Sequence, residues 1–377
     1  MKRIGNAVWR YFRQADCTLL ALTLLASAYG FMLVMSATHS AHSKMTTQVV
    51  GIVIGLIGMF VISKLDYHDI AGLWKYIAAA GIILLLLPYI HPHMVKGSED
   101  LSWIDLGFTT IQPSEIVKIL FVITWSKHYD MVKEDVHSFR TVALLALHAL
   151  VPIGIIVVQK DMGMALVFAL IFLSMLFAAN VQLRYFVGAG VLALISAPLA
   201  WKKIGATQKN RIMALFDPNS YPVTAQQQQQ AQKAIGSGGM WGYGLFHGPK
   251  TQSALNSGLL PERQNDMIFA VAGEELGFIG CLAIFVLVLL LLGRILSDSR
   301  RAKDSMGAMM CLGIFSCFAV QAVINLGMAL MLLPVIGISL PFFSSGGSSV
   351  VSSFWAIGLV MSVYLHRKTS LFAPESD

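Results

Sequence analysis

Charge is what this chain has least of. Asp, Glu, Lys and Arg together make up 12% of its 377 residues, while hydrophobic residues make up 56%. Ordinary soluble domains carry about 25% charge, so a soluble globular fold is excluded and an integral membrane protein is indicated. Cysteine is scarce too. Cys17, Cys281, Cys311 and Cys317 all lie inside apolar runs, where a free thiol behaves as a small hydrophobe, and no disulfide or zinc framework follows. His91 and His93 flank Pro92 and read as solvated side chains rather than metal ligands.

Long apolar runs are what the chain does have. Ten can be drawn, at about residues 17 to 36, 47 to 64, 73 to 90, 112 to 125, 141 to 158, 162 to 179, 183 to 201, 267 to 296, 306 to 331 and 348 to 365. Most reach the ~17–25 residues that a helix needs to cross the hydrocarbon; the fourth, starting at Pro113, is short. The expected fold is therefore all-α, with ten transmembrane helices and one large extracytoplasmic loop, 202–266, between helices 7 and 8. Ala26-Ser27-Ala28 resembles a signal-peptidase site, but the apolar run continues through Met35 and suits a permanent span.

Basic residues orient this topology, because cytoplasmic loops hold the excess of Lys and Arg. With the N-terminus inside, the inner segments carry 16 of the 27 basic residues and the short outer loops only Lys44, Lys96 and Lys160. Residues 1–16 and 366–377 are then cytoplasmic tails of a single polytopic domain, 1–377. The net charge of +7 reflects topology rather than a nucleic-acid surface.

Against so little charge, the polar clusters stand out. Leu260-Pro261-Glu262-Arg263-Gln264-Asn265-Asp266 runs directly into Met267 and an apolar helix that soon carries Glu274-Glu275. Carboxylates near the bilayer are costly, and are usually paired or face a cavity. Gln112-Pro113-Ser114-Glu115 with Lys118 forms a second cluster. Pro113 suits the first helical turn, and Glu115 and Lys118 share a helix face. They could be an internally paired helix start or line a polar cavity; both can hold. Asp161, in a tight turn after Gln159-Lys160, could cap the next helix or stand at a cavity mouth. Leu340 to Ser349, rich in Gly and Ser, permits a re-entrant backbone, which is tolerated at membrane depth only when buried in protein or lining water. Within 202–266, Asp217-Pro218 reads as a turn, Ala225 to Ile235 as a polar helix, and Gly236-Ser237-Gly238-Gly239 as a flexible break. The low-complexity run Gln226 to Gln230 also admits disorder.

These clusters, in their order along the chain, resemble the SEDS family (RodA, FtsW and SpoVE). The resemblance rests on Trp103, Gln112-Pro113-Ser114-Glu115 with Lys118, Gln159 with Asp161 and Gly163, and Arg211 with Asp217-Pro218. It continues through Ala234 to Gly239, Gly242 with Gly244, Leu260-Pro261-Glu262 with Asp266, Phe269, Glu274-Glu275, Gly277, and Ser344 with Gly346-Gly347-Ser348. It implies a peptidoglycan glycosyltransferase that polymerises lipid II at the outer face of a bacterial plasma membrane, with a class B penicillin-binding protein and elongation-complex proteins as partners. It places the essential acid on Asp266 and implies substrate contacts at Trp103, Glu115, Lys118, Asp161, Arg211, Arg263 and Ser344. The chain departs from the family pattern at Ser102, Ser345 and Gln226 to Gln230, where substrate contacts can differ.

The chemistry accounts for a single acid. A lipid-diphosphate donor has a good leaving group, so Asp266 is expected to act as general base on the acceptor 4-hydroxyl, in contrast with the paired acids of glycosidases. The diphosphate charge could be met by Arg211, Arg263 or Lys118, or by a divalent cation, Mg or Mn, held with Asp266 or Glu115. Glu274 and Glu275, about 12 Å deeper by helical rise, read as structural. Short tails favour an elongation role over division, with a sporulation role as a further alternative. Competing readings are a lipid-precursor flippase, which needs charges along a path through both leaflets, and a non-catalytic assembly scaffold, which tolerates loss of Asp266.

Overall fold

The computed structural model describes residues 13–38, 42–90, 100–105, 107, 110–252 and 260–367; His91, His93 and Lys96 lie outside them. The described residues are mostly helical, and every apolar run of the sequence falls on a helix. These are α1 (Cys17–Ala37), α2 (His42–Lys64), α3 (Tyr67–Gly72), α4 (Trp74–Ile90), α5 (Pro113–Val132), α6 (Phe139–Val158), α7 (Met162–Ala178) and α8 (Leu183–Lys203). After α9 (Ala206–Phe216) and α10 (Pro222–Ser237) come α11 (Ile268–Arg300), α12 (Ser305–Ala329) and α13 (Gly347–Leu365). Six of them, α1, α2, α6, α11, α12 and α13, are long and apolar enough to cross a membrane; α4, α7 and residues Leu183–Leu199 of α8 are shorter apolar helices. α5 is longer than the fourth apolar run, because it continues through polar residues to Val132.

α12 and α13 form the core, while α2, α6 and α8 turn large apolar side chains outward, among them Ile57, Leu150 and Leu194. With no water to drive helices together inside a bilayer, small residues that let backbones approach do much of the packing. In α2 the side of Gly55 and Gly58 meets α13: a Cβ at Gly58 would stand 1.9 Å from Trp355 Nε1, and one at Gly55 2.7 Å from Phe354 Cδ2.

Alternation of the helices brings the C-termini of α1, α4, α6 and α12 to one end of the bundle together with the N-termini of α2, α5, α7, α11 and α13. A two-stranded hairpin, β1 (Ile104–Asp105) and β2 (Thr110–Ile111), lies at this same end with Ile104 opposite Ile111.

Within the segment 202–266, Gln226 to Gln230 lie in helix α10, the polar helix read over Ala225 to Ile235, and the alternative of a disordered run falls away. Gly236 to Gly239, by contrast, are not a flexible break. α11 is interrupted at Gly277 (φ 68°, ψ −160°), and the glycine-rich loop after α10 packs into the interruption. A Cβ at Gly238 would lie 2.0 Å from the Gly273 carbonyl oxygen, and one at Gly242 2.2 Å from that of Glu275. Groups freed by the break find partners there: Phe278 N–H donates to Gly239 (2.8 Å), and Gly244 N–H donates to the Glu275 carbonyl (2.8 Å). Gly238 and Gly242 are glycines because backbone meets backbone there.

Candidate active site

A cavity of about 350 Å³ opens at the hairpin end, lined by residues that include Trp103, Gln112, Glu115, Asp266, Gly337 and Ser349. It is built by the hairpin running into α5, the turn before α11, the irregular stretch between α12 and α13 and the first turn of α13, with Thr47 of α2.

The turn that carries Asp266 is held through its backbone. Asn325 of α12 donates its side-chain amide to the Asp266 carbonyl (2.9 Å) and to that of Ile338 (2.8 Å). Ser344 Oγ donates to the Asn265 carbonyl (2.7 Å) and accepts from Leu340 N–H (2.9 Å). Ser345 N–H donates to the Gln264 carbonyl (2.7 Å). With its backbone fixed, the Asp266 carboxyl stands beside Gly337, 3.6 Å from where a Cβ on that glycine would be. Burial, with the nearby Glu262 charge, pushes this carboxyl up to about 7, and the Arg211 guanidinium opposes the shift. A carboxyl poised near neutrality is suited to accept a proton.

Glu115, in the first turn of α5, reaches the cavity from the opposite wall. Lys118 Nζ lies 2.8 Å from its Oε2, both side chains being only 4% exposed, and Ser352 Oγ donates to the same oxygen at 3.1 Å. The internally paired helix start is what the structure shows, and of the pair only Glu115 lines the cavity.

Asp161 caps α7, accepting from Met164 N–H at 3.0 Å. Its other oxygen accepts from the Gln112 amide at 2.7 Å, so it touches the cavity through Gln112. Burial pushes this carboxyl up to about 6.

The two arginines do not join the cavity lining. Arg263 donates from Nε to the Ala37 carbonyl at 2.8 Å and from Nη1 to the Thr251 carbonyl, so its fork is spent on backbone. Arg211 lines a neighbouring cavity with Pro261 and Val335. Ser344 holds the turn rather than facing the cavity. Charge complementarity for an anion comes instead from the N-terminal end of α13, where Gly346, Gly347, Ser348 and Ser349 line the cavity and no side chain caps the helix; such an end favours negative charge. For a cation, no group of three or more His, Cys, Asp or Glu stands together among the described residues. Of the two carboxyls on the cavity Glu115 is already neutralised by Lys118. Asp266 is thus the ligand the protein would offer, fitting an ion that arrives with phosphate oxygens.

Glu274 and Glu275 are structural, as read. Glu274 accepts from Lys250 N–H (2.9 Å), Thr251 N–H (2.7 Å) and Thr251 Oγ1 (2.7 Å). Glu275 accepts from Ser36 Oγ (2.6 Å) and the Gln252 amide (2.8 Å). Both pin the loop after α10 to the membrane bundle. Sequence reasoning missed Asn325 and Gln112 as parts of the site. An uncharged amide inside the apolar helix α12 was the available signal for Asn325; Gln112 was hidden in a motif read for its proline and glutamate.

The fold and this cavity define a multi-pass membrane protein with a polar site at one end of its helical bundle. The chain belongs to the FtsW/RodA/SpoVE family, whose model, described as a cell cycle protein, matches residues 12–369. It is 34% identical over 357 residues to the peptidoglycan glycosyltransferase MrdB of Escherichia coli K12, covering 94% of each chain. A chain from a peptidoglycan synthase complex, solved in work on the coordination of polymerization and crosslinking, superposes with a TM-score of 0.81 at 27% identity, covering 94% of this chain and 99% of that one. The rod shape determining protein RodA of Thermus thermophilus superposes with a TM-score of 0.69 at 26% identity, covering 94% of this chain and 98% of that one.

Proposed function

We propose that this protein is a peptidoglycan glycosyltransferase that polymerises lipid II into glycan strands, with Asp266 as the general base. The observation that carries the reading is the Asp266 carboxyl, fixed through its backbone on a polar cavity and poised near neutral pH. Asp266 takes the proton from the acceptor sugar's 4-hydroxyl as that oxygen attacks the donor anomeric carbon. The new C1–O4 bond forms as the bond to the diphosphate breaks, with inversion to a β-1,4 link. The diphosphate departs toward the N-terminal end of α13 and its serine hydroxyls. Trp103, Gln112 and Glu115 contact substrate from the opposite wall, with Lys118 balancing the Glu115 charge and Asp161 orienting Gln112. A divalent cation carried with the diphosphate would add charge neutralisation at Asp266.

The chain is a single polytopic domain, 1–377, crossing a bacterial plasma membrane ten times, with both termini cytoplasmic and 202–266 outside. The bias of Lys and Arg toward one set of loops supports this orientation. A sugar then meets Asp266 in water while the lipid tail stays between helices. The partner is a class B penicillin-binding protein that crosslinks the product, and the role is in cell elongation and shape.

The test is polymerisation of fluorescent lipid II by the purified protein with its class B partner, wild type against Asp266→Asn, at matched folding and complex formation. A glycan ladder from wild type alone is expected. Equal ladders from both would remove Asp266 as the base, and none from either, with an intact complex, would favour a transporter or scaffold.

A further inference from the structure

The glutamine run of α10 divides its work. Gln228 is buried and donates its amide to the carbonyls of Met328 (3.0 Å) and Leu333 (2.7 Å), fixing the helix onto the end of α12. Gln230 Oε1 accepts from Lys250 Nζ at 3.2 Å. Gln226 and Gln227 instead line a second cavity, of about 490 Å³, with Thr207, Asn210, Arg211 and Thr224. That volume is in the range of ~300–1,000 Å³ usual for ligand sites.

This cavity adjoins the candidate active site. Pro261 and Val335 line it, while Asp266 and Gly337, a few residues on along the same two segments, line the first. The Arg211 charge is felt at the Asp266 carboxyl. The chemistry of the walls is mostly neutral: amides and hydroxyls that donate and accept, alternating with the apolar faces of Val223, Pro261 and Val335. One cation among so many neutral groups is a poor match for a diphosphate and a good one for a sugar, which offers hydroxyls and acetamido groups along its edges and C–H faces between them. Gln227 Nε2 is sealed from solvent and has no hydrogen-bond partner among the described residues. A lone buried amide of this kind carries a desolvation cost. Rotation of its soft terminal torsion would present it to an acceptor in the cavity.

Building on the polymerase reading above, we infer that this second cavity holds an N-acetylated sugar unit of the nascent glycan strand, next to the bond being made. Gln226, Gln227, Asn210 and Thr224 bind its hydroxyl and acetamido groups. The inference concerns strand retention, so it is separable from the chemistry at Asp266.

The experiment uses the full chain in nanodiscs and a lipid-free tetrasaccharide of alternating N-acetylglucosamine and N-acetylmuramic acid. Affinity is measured for wild type, Gln227→Leu, Asn210→Leu and the exposed control Gln232→Leu, each checked for thermal stability. In parallel, strand length is read from lipid II polymerisation with the class B partner. Each pocket variant should bind about tenfold more weakly, the loss of one or two sugar hydrogen bonds, and make shorter strands, while Gln232→Leu matches wild type. Unchanged affinity and strand length in both pocket variants would overturn the inference, as would displacement of the tetrasaccharide by the free stem pentapeptide. Tetrasaccharide binding that depends on Gln227 and Asn210, without any polymer from wild type, would sink the polymerase reading and leave the pocket standing. Polymer from wild type with no tetrasaccharide binding would do the reverse.

Discussion

Replacing Lys118 with Met should be among the most damaging single changes near the cavity, and the reason lies in Glu115. The two side chains are 4% exposed and 2.8 Å apart. Apart from Lys118, the Glu115 carboxylate has only the Ser352 hydroxyl, at 3.1 Å, among its hydrogen bonds within the described residues. Removing one partner of a buried pair strands the other charge, at a cost of about 3–5 kcal/mol, whereas exchanging both for neutral groups of similar volume is often close to neutral. Lys118→Met is therefore expected to lose roughly 3–5 kcal/mol. The double variant Glu115→Gln with Lys118→Met should come within about 1 kcal/mol of wild type, a coupling of several kcal/mol that far exceeds ordinary additivity error. Reversible unfolding in mixed micelles measures both, and the lipid II assay run alongside separates folding from function. If the pair only balances charge, the double variant recovers stability and polymerisation together; recovery of stability alone assigns the Glu115 carboxylate to substrate binding. A single variant as stable as wild type, or a double variant no better than the single, would refute the reasoning.

With the Asp266 carboxyl raised to about 7 by burial and by Glu262, the protonated form prevails at lower pH and cannot accept a proton. Polymerisation should therefore fall as pH drops through 7. Glu262→Gln removes a repulsive charge, so the acid limb of the rate profile should move to lower pH; an unmoved limb would argue against Asp266 as the titrating base. Asn325→Leu leaves the Asp266 and Ile338 carbonyls without their shared donor. The expected result is about a 10²-fold loss of rate from a misplaced base with substrate affinity less affected, measured as separate kcat and KM. Gly58→Leu drives a side chain into Trp355 and should lower thermal stability by more than ~1–3 kcal/mol, the usual cost of overpacking; a fold of wild-type stability would contradict the close contact of α2 with α13.

Much of this molecule could be read before its structure. Apolar runs placed the helices, because a bilayer demands long uncharged segments. Scarce charge made Asp266, Glu115 and Asp161 conspicuous, because a carboxylate near hydrocarbon must be paired or useful. The pairing of Glu115 with Lys118 was legible too, since an i,i+3 spacing on one helix fixes their contact locally, but that only Glu115 of the two reaches the cavity was not.

What the sequence could not decide was everything set by encounters between distant segments. Arg263 has the same guanidinium wherever it points, and only the tertiary structure spends it on the carbonyls of Ala37 and Thr251. The glycines after α10 look flexible in one dimension; in three, Gly238 and Gly242 stand where a side chain would run into the broken backbone of α11. Asn325 reaches Asp266 across 59 positions of chain, a separation that no local pattern encodes. Composition and periodicity determine which segments enter the membrane and which polar groups are too costly to be idle. Which of those groups meet is fixed by packing, because a hydrogen bond depends on distance and angle, and these exist only once the helices have assembled.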